Sequence, residues 1–187
     1  QAVPALGKGR RLQANIRRAL RRSRSGVRHG VRHDRQGPPP RTGRKRETQG
    51  QAIGRSRGGW TTKILALTDA LGNLVRFELL PGQRFDTVGV APLIGDVAFG
   101  GLIADKAFYV DWIVAELDER GAQVVISQHP RRTKPRTIDA DLYKWRHLIE
   151  NFFGKLTDFK RIALRACKTD ASFSAMIYAA AIVLNTR

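Results

Sequence analysis

The chain has 187 residues, 42% of them hydrophobic, which is enough for one domain with a real core plus a tail. Its net charge is +18: residues 1–57 hold 17 of the 34 Lys and Arg but only 2 of the 16 acids, so that segment carries +15 and the remainder +3. Such asymmetry points to a polyanionic partner, most often nucleic acid, while the single cysteine, Cys167, excludes a disulfide framework or a Cys-rich zinc site, and no apolar run has the length of a membrane span.

Residues 1–50 contain few large apolar residues, many arginines and the run Pro38-Pro39-Pro40, and are read as a basic, disordered segment. Within it, Leu12–Leu20 could form only a short helix with a thin apolar face. The character changes near Ser56. Trp60–Thr68 and Leu74–Leu80 are rich in β-branched and apolar residues and flank a turn at Asp69–Asn73, which predicts an antiparallel hairpin. Gly54–Gly59 bends the chain into that hairpin, and Pro81-Gly82 ends it. Asp86–Val97 predicts a Gly-interrupted helix capped by Asp86. Gly101–Ala104 predicts a short buried strand running into Asp105. Asp111–Arg120 predicts an amphipathic helix stopped at Gly121, and Gln123–Ser127 another strand. A basic loop, His129–Arg136, leads to the strongest signal in the chain. Over Asp139–Arg161 the residues Trp145, Leu148, Ile149, Phe152, Phe153, Leu156 and Phe159 recur in steps of three and four, predicting one continuous helix with one buried face. Tyr143, Arg146, Glu150 and Thr157 fall on a separate stripe. A turn near Lys168–Asp170 and a final helix from Ser172 to Asn185 complete the order. It predicts an α/β fold, a mixed sheet covered by helices.

Candidate chemistry is sparse. Asp105 lies at the carboxyl end of a strand, where ligand sites gather in open α/β sheets; the plainer reading is a turn cap. Glu150, one turn after Arg146, is either a surface ion pair or a carboxylate held in place. The two acids together could supply oxygen ligands to Mg²⁺, although two-metal phosphoryl transfer commonly uses three. His29 and His33 have helical metal-pair spacing with no third ligand nearby. Gly54-Arg-Ser-Arg-Gly58-Gly59 lacks the Gly-Lys-Ser/Thr ending of a phosphate loop. Arg55 and Arg57 in that segment, with Arg131 and Arg132 in the basic loop, are read as cations facing a phosphate backbone.

Taken together, the runs QAIGRSRGGWTTKILALTDALGN, LLPGQRFD, LIADKAF and YKWRHLIENFFGKL resemble the carboxyl-terminal half of DDE transposases of bacterial insertion sequences. The resemblance covers about three-quarters of the chain, from Gln51 onward. It implies an RNase H-like fold for residues 51–187 and Mg²⁺- (or Mn²⁺-) dependent cutting and joining of transposon ends. It implies Asp105 and Glu150 as catalytic, metal-binding acids and Tyr143 and Arg146 as residues near the DNA, with Lys155 or Lys160 an imperfect substitute for the family's DNA-holding Lys. The implied partner is transposon-end and target DNA, with a homo-oligomer on DNA compatible with it and no membrane. The implied location is the cytoplasm of a bacterium, at the nucleoid. The third-acid pattern Tyr-x2-Arg-x3-Glu-x6-Lys is met by Tyr143, Arg146 and Glu150, but Thr157 stands where Lys is expected.

The first acid of this family belongs on a strand before Gly54, where Asp34 is the one acid at a suitable distance and VRHDRQGPPP has no strand character. His33-Asp34-Arg35-Gln36 can be encoded CAT-GAT-CGA-CAG, which one base on reads ATG-ATC-GAC, Met-Ile-Asp, a run the family shows at its first acid. The amino-terminal segment is therefore read as frameshifted. In the implied fold that first strand is central. Its loss is expected to leave the hairpin and the Asp105 strand without partners, at about 1–3 kcal/mol per orphaned group, and the chain poorly folded. Three readings stand: a transposase-class enzyme defective in this form, a non-catalytic basic nucleic-acid-binding protein, and an inactive transposase remnant.

Overall fold

Strand β3 (Gly59–Thr68) is buried on both faces, and the rest of the molecule is arranged about it. Ile64 and Ala66 point to one side and Leu65 and Leu67 to the other, each 0–1% exposed. That double burial explains a continuous apolar run where a half-exposed strand would alternate. The computed structural model describes residues 51–57, 59–133 and 135–186, and the backbone of strand β1 (Gly26–Arg28). The helix at Leu12–Leu20, His29, His33 and Asp34 lie outside the described residues.

β3 pairs antiparallel with β4 (Leu74–Pro81), as the hairpin pattern predicts. Asp69 organises the turn: its Oδ1 accepts from the amides of Leu71 at 2.8 Å and Asn73 at 2.9 Å, while Gly72 takes a φ of +85°. The segment before the hairpin is more than a bend. Gly54–Ser56 forms β2, folded back on the start of β3 with Arg55 opposite Trp60. β5 (Gly101–Ala104) and β6 (Gln123–Ile126) run parallel to each other.

The expected gap between hairpin and Asp105 strand is a correction. β1 fills it, antiparallel to β3 with Val27 opposite Leu67 and parallel to β5 with Val27 opposite Ala104. The sheet runs β2-β3-β1-β5-β6, with β4 also on β3. Three residues of extended backbone suffice because a ladder needs amide and carbonyl groups, whatever the side chains.

One side of the sheet is covered by α1 (Val90–Ile94) and α2 (Asp111–Glu119), which close on Leu65, Leu67, Leu102, Ala104 and Ile126. The predicted helix at Asp86 opens as a 3-10 turn, Asp86–Gly89, with Phe85 at its cap position; Asp86 instead pairs with Lys63 at 2.9 Å. The other side carries α4 (His147–Thr157), α5 (Lys160–Ala163) and α6 (Asp170–Asn185) over Ile64, Ala66 and Phe77. The continuous helix predicted over Asp139–Arg161 is also corrected. It is three pieces, beginning with α3 (Ala140–Lys144), and the chain turns at Trp145-Arg146 and again near Phe159. α3 packs on β6 and α4 on β1, so the first break lets one apolar stripe serve two targets. Among the described residues no helix is long and apolar enough to cross a membrane.

Candidate functional site

Alternation along β5 fixes where Asp105 stands. Leu102 and Ala104 belong to the core under α2, whereas Ile103 lines a cleft with Trp145, Leu148 and Ile149 on the opposite side. The next residue, Asp105, therefore follows Ile103 onto the α4 side of the sheet. Glu150 lies on α4 beside the buried Ile149, and α4 packs against β1. The fold thus brings the two predicted acids to one face of one sheet.

Both carboxylates also make local structural bonds. Asp105 accepts from the amide of Lys106 at 2.8 Å and so caps the 3-10 turn Lys106–Phe108, the plainer role its position allows. Glu150 receives Arg146 at 2.8 Å, the i, i+4 pair expected of their spacing. The Arg146 guanidinium lies 5.6 Å from the centre of the Tyr143 ring. Tyr143, Arg146 and Glu150 are therefore one contiguous set across the α3–α4 junction, although they do not share one helix. Thr157, lower on α4, turns its hydroxyl to the carbonyl of Gly154 at 2.7 Å.

The predicted cations divide into two kinds. Arg55, Arg57, Arg131 and Lys155 are exposed, and none is in an ion pair with another described residue. Arg132, in contrast, is paired with Asp111 and lies 4.4 Å over the Tyr109 ring. Arg136 of the same loop reaches Asp118 at 3.0 Å, and that carboxylate raises the pKa of the guanidinium further above its ordinary value. The loop after β6 is thereby fastened to α2, next to the chain that leaves Asp105. Arg55 and Arg57 are further off: from Ala66, level with Asp105 across β1, to Trp60 is about 20 Å along β3.

The cleft itself, about 60 Å³, opens beside Gly100, Gly101 and Gln123 at the amino ends of β5 and β6. Asp105 is at the other end of β5, so the cleft is not where the two carboxylates would share an ion. Among the described residues no three His, Cys, Asp or Glu side chains gather.

One polar cluster had no signal in the sequence. Arg165, with φ at +44°, occupies the left-handed conformation usual for glycine after a helix. Its guanidinium pairs with Asp170, donates to Thr62 Oγ1 at 2.5 Å and lies 4.5 Å over the Phe173 ring. Asp170 also accepts from the amide of Ala52 at 2.5 Å, and Thr62 donates to the Ala52 carbonyl at 2.5 Å. Burial pulls the Arg165 pKa below its ordinary value, and Asp170 opposes that shift. This clasp fixes the chain just ahead of β2. Its partners are too distant in sequence for any spacing rule to join them.

Comparison with known proteins shows the family. A family model described as "Transposase DDE domain" matches residues 29–186. A Brucella ovis protein named "Putative transposase for insertion sequence element IS6501" is 36% identical over 126 residues, which is 66% of this chain and 97% of that protein.

Proposed function

Because the chain belongs to the transposase DDE-domain family, we propose that residues 51–187, with strand β1 completing their sheet, form its RNase H-like catalytic part, that they engage transposon-end DNA at the carboxyl ends of β5 and β6, and that strand cleavage is defective in this form. The observation that carries the reading is the common face of Asp105 and Glu150, given by alternation along β5 and by the packing of α4 on β1. Arg146 and Tyr143 hold Glu150 in position. Arg131 with Lys106 next to Asp105, and Arg55 with Arg57 about 20 Å away, would touch backbone phosphates within one turn of duplex. The cations of residues 1–50 would add a salt-dependent share of the affinity.

Family members generally use divalent metal ions, which would activate the attacking oxygen and stabilise the leaving one. The donors among the described residues do not fit two ions: they are two carboxylates, one capping a turn and one holding an arginine. No step through a metal is therefore derived. A second reading, binding to nucleic acid without cleavage, is favoured by the +15 carried by residues 1–57.

The test is a duplex carrying the element's end, assayed for affinity by fluorescence anisotropy and for nicking with Mg²⁺. The expected result is tight, salt-sensitive binding with no nicked product. Replacing Arg55, Arg57 and Arg131 with Gln should reduce the salt slope by about one per contact. Mg²⁺-dependent nicking that disappears in Glu150→Gln would show that the enzyme is intact, and unchanged binding in the three Arg→Gln variants would leave the amino-terminal arm as the sole DNA contact.

A further inference from the structure

β4 has one edge on β3 and another that no strand among the described residues takes up. The alternation of its hydrogen bonds says which groups face that open edge. The Gly82 amide donates to the Thr61 carbonyl at 3.1 Å, and the ladder is regular from there to the Leu67–Arg76 pair. Leu80, Glu78 and Arg76 therefore bond towards β3, while the amides and carbonyls of Leu79 and Phe77 point outward. Pro81, with no amide hydrogen to leave unpaired, takes the next outward position.

Open edges are commonly guarded by lysines or proline. This one carries one charge of each sign, set symmetrically about an aromatic residue: residues 74–80 read LVRFELL. Laid antiparallel on a second copy with Phe77 opposite Phe77, the strand places Arg76 opposite Glu78 twice and Val75 opposite Leu79. The two Phe77 residues would exchange a pair of hydrogen bonds. The Arg76–Glu78 pairs would take the positions between bonded pairs, where Cα atoms are about 4.5 Å apart and side chains stand closest. A slip of two residues either way sets Arg76 against Arg76 or Glu78 against Glu78, and a slip of one brings residues of opposite faces together. Glu78 is in no ion pair with another described residue, and Arg76 holds Asp96, a carboxylate that is 82% exposed.

The apolar surface continues past the strand. Tyr178 of α6 lies against Phe77, ring centres 4.9 Å apart, yet it is 52% exposed, and Ile182, one turn on, is 65% exposed. We propose that β4 is a self-complementary edge through which two copies of the chain join their sheets, antiparallel and centred on Phe77, with Tyr178 covered at the same contact. The inference goes beyond the reading of function. This edge is separated from β5 by β3 and β1, and the contact stands whether or not the Asp105 edge holds DNA.

The full-length chain, freed of nucleic acid, is followed by analytical ultracentrifugation from micromolar to hundred-micromolar concentration, at about 0.15 M salt to screen the net charge. The expected result is a reversible dimer. Arg76→Glu and Glu78→Arg should each weaken it about tenfold or more, because each sets like charges opposite at two places. The double variant Arg76→Glu/Glu78→Arg should restore it, as should an equimolar mixture of the two single variants. A chain that stays monomeric throughout would overturn the proposal, whatever covers the edge in its place. So would a dimer that both single variants leave unchanged, or one that neither the double variant nor the mixture restores. Where a charge variant loses its melting transition, cross-linking decides. Arg76→Cys mixed with Glu78→Cys should give a disulfide-linked dimer on oxidation, within the reach of about 4.4–6.8 Å between Cα atoms, and neither alone should. No linked dimer in the mixture, or as much in either variant alone, would overturn the proposal.

Discussion

On the α2 side of the sheet, Leu65, Leu67, Leu102 and Ile126 meet Ile113 and Leu117, all 0–1% exposed, and the buried cluster there is wholly apolar. On the α4 side, Ile64 and Ala66 are as deeply buried, yet the same layer contains Thr62, Arg165 and Asp170, and Arg146 with Glu150 lies at its margin. The strands are common to both sides; the helices differ. The first side has a charged pair as well, Lys63 with Asp86, but it stands beyond the apolar cluster, where the 3-10 turn leads into α1. The second must present carboxylates and arginines at a sheet edge, and each desolvated polar group there has to be given a partner.

If that contrast is right, substitutions should separate the two sides. Leu117→Ala, in the dry core, should have the largest effect, lowering stability by about 2–5 kcal/mol in urea denaturation. Arg165→Met should follow at about 2 kcal/mol, below the 3–5 typical of a fully buried pair, because Asp170 keeps some contact with water and the Ala52 amide. Thr62→Val removes a hydroxyl that both donates and accepts and should cost about 1 kcal/mol or slightly more. Arg132→Gln, in a solvent-screened pair with Asp111, should change stability by less than about 0.5 kcal/mol. A Leu117→Ala loss no larger than that of Thr62→Val would erase the contrast. A large loss in Arg132→Gln would mean that the loop after β6 is part of the core.

What the sequence disclosed followed the same division. The hairpin, Gly101–Ala104, the helix from Asp111 and Gln123–Ile126 were legible because their apolar periodicity reflects burial along the element itself. The joint at Trp145-Arg146 was not, since the apolar stripe continues through it and only the separate destinations of α3 and α4 require a break. β1 was missed for a related reason. Gly26–Arg28 offers one β-branched residue, and its place in the sheet is specified by the strands on either side. For the site, residue types and spacing led to Asp105 and the Tyr143–Arg146–Glu150 set. The codon argument for a shifted frame upstream of Gln51 is independent of all this and is settled by sequencing the coding DNA: no Met-Ile-Asp run in either alternative frame would dismiss it.

The clasp at Arg165 and Asp170 also sets an order of events. Ala52 and Asp170 are 118 residues apart, and Thr62 and Arg165 are 103. Contacts that distant are made late, because the entropy of closing so long a loop is lost before anything is gained. During synthesis β2 and the start of β3 must wait, exposed, until α6 has left the ribosome. A chain that lacks α6 would keep its hairpin but leave the approach to β2 untied and open to proteases, so protection of Ala52 from cleavage reports whether α6 has docked.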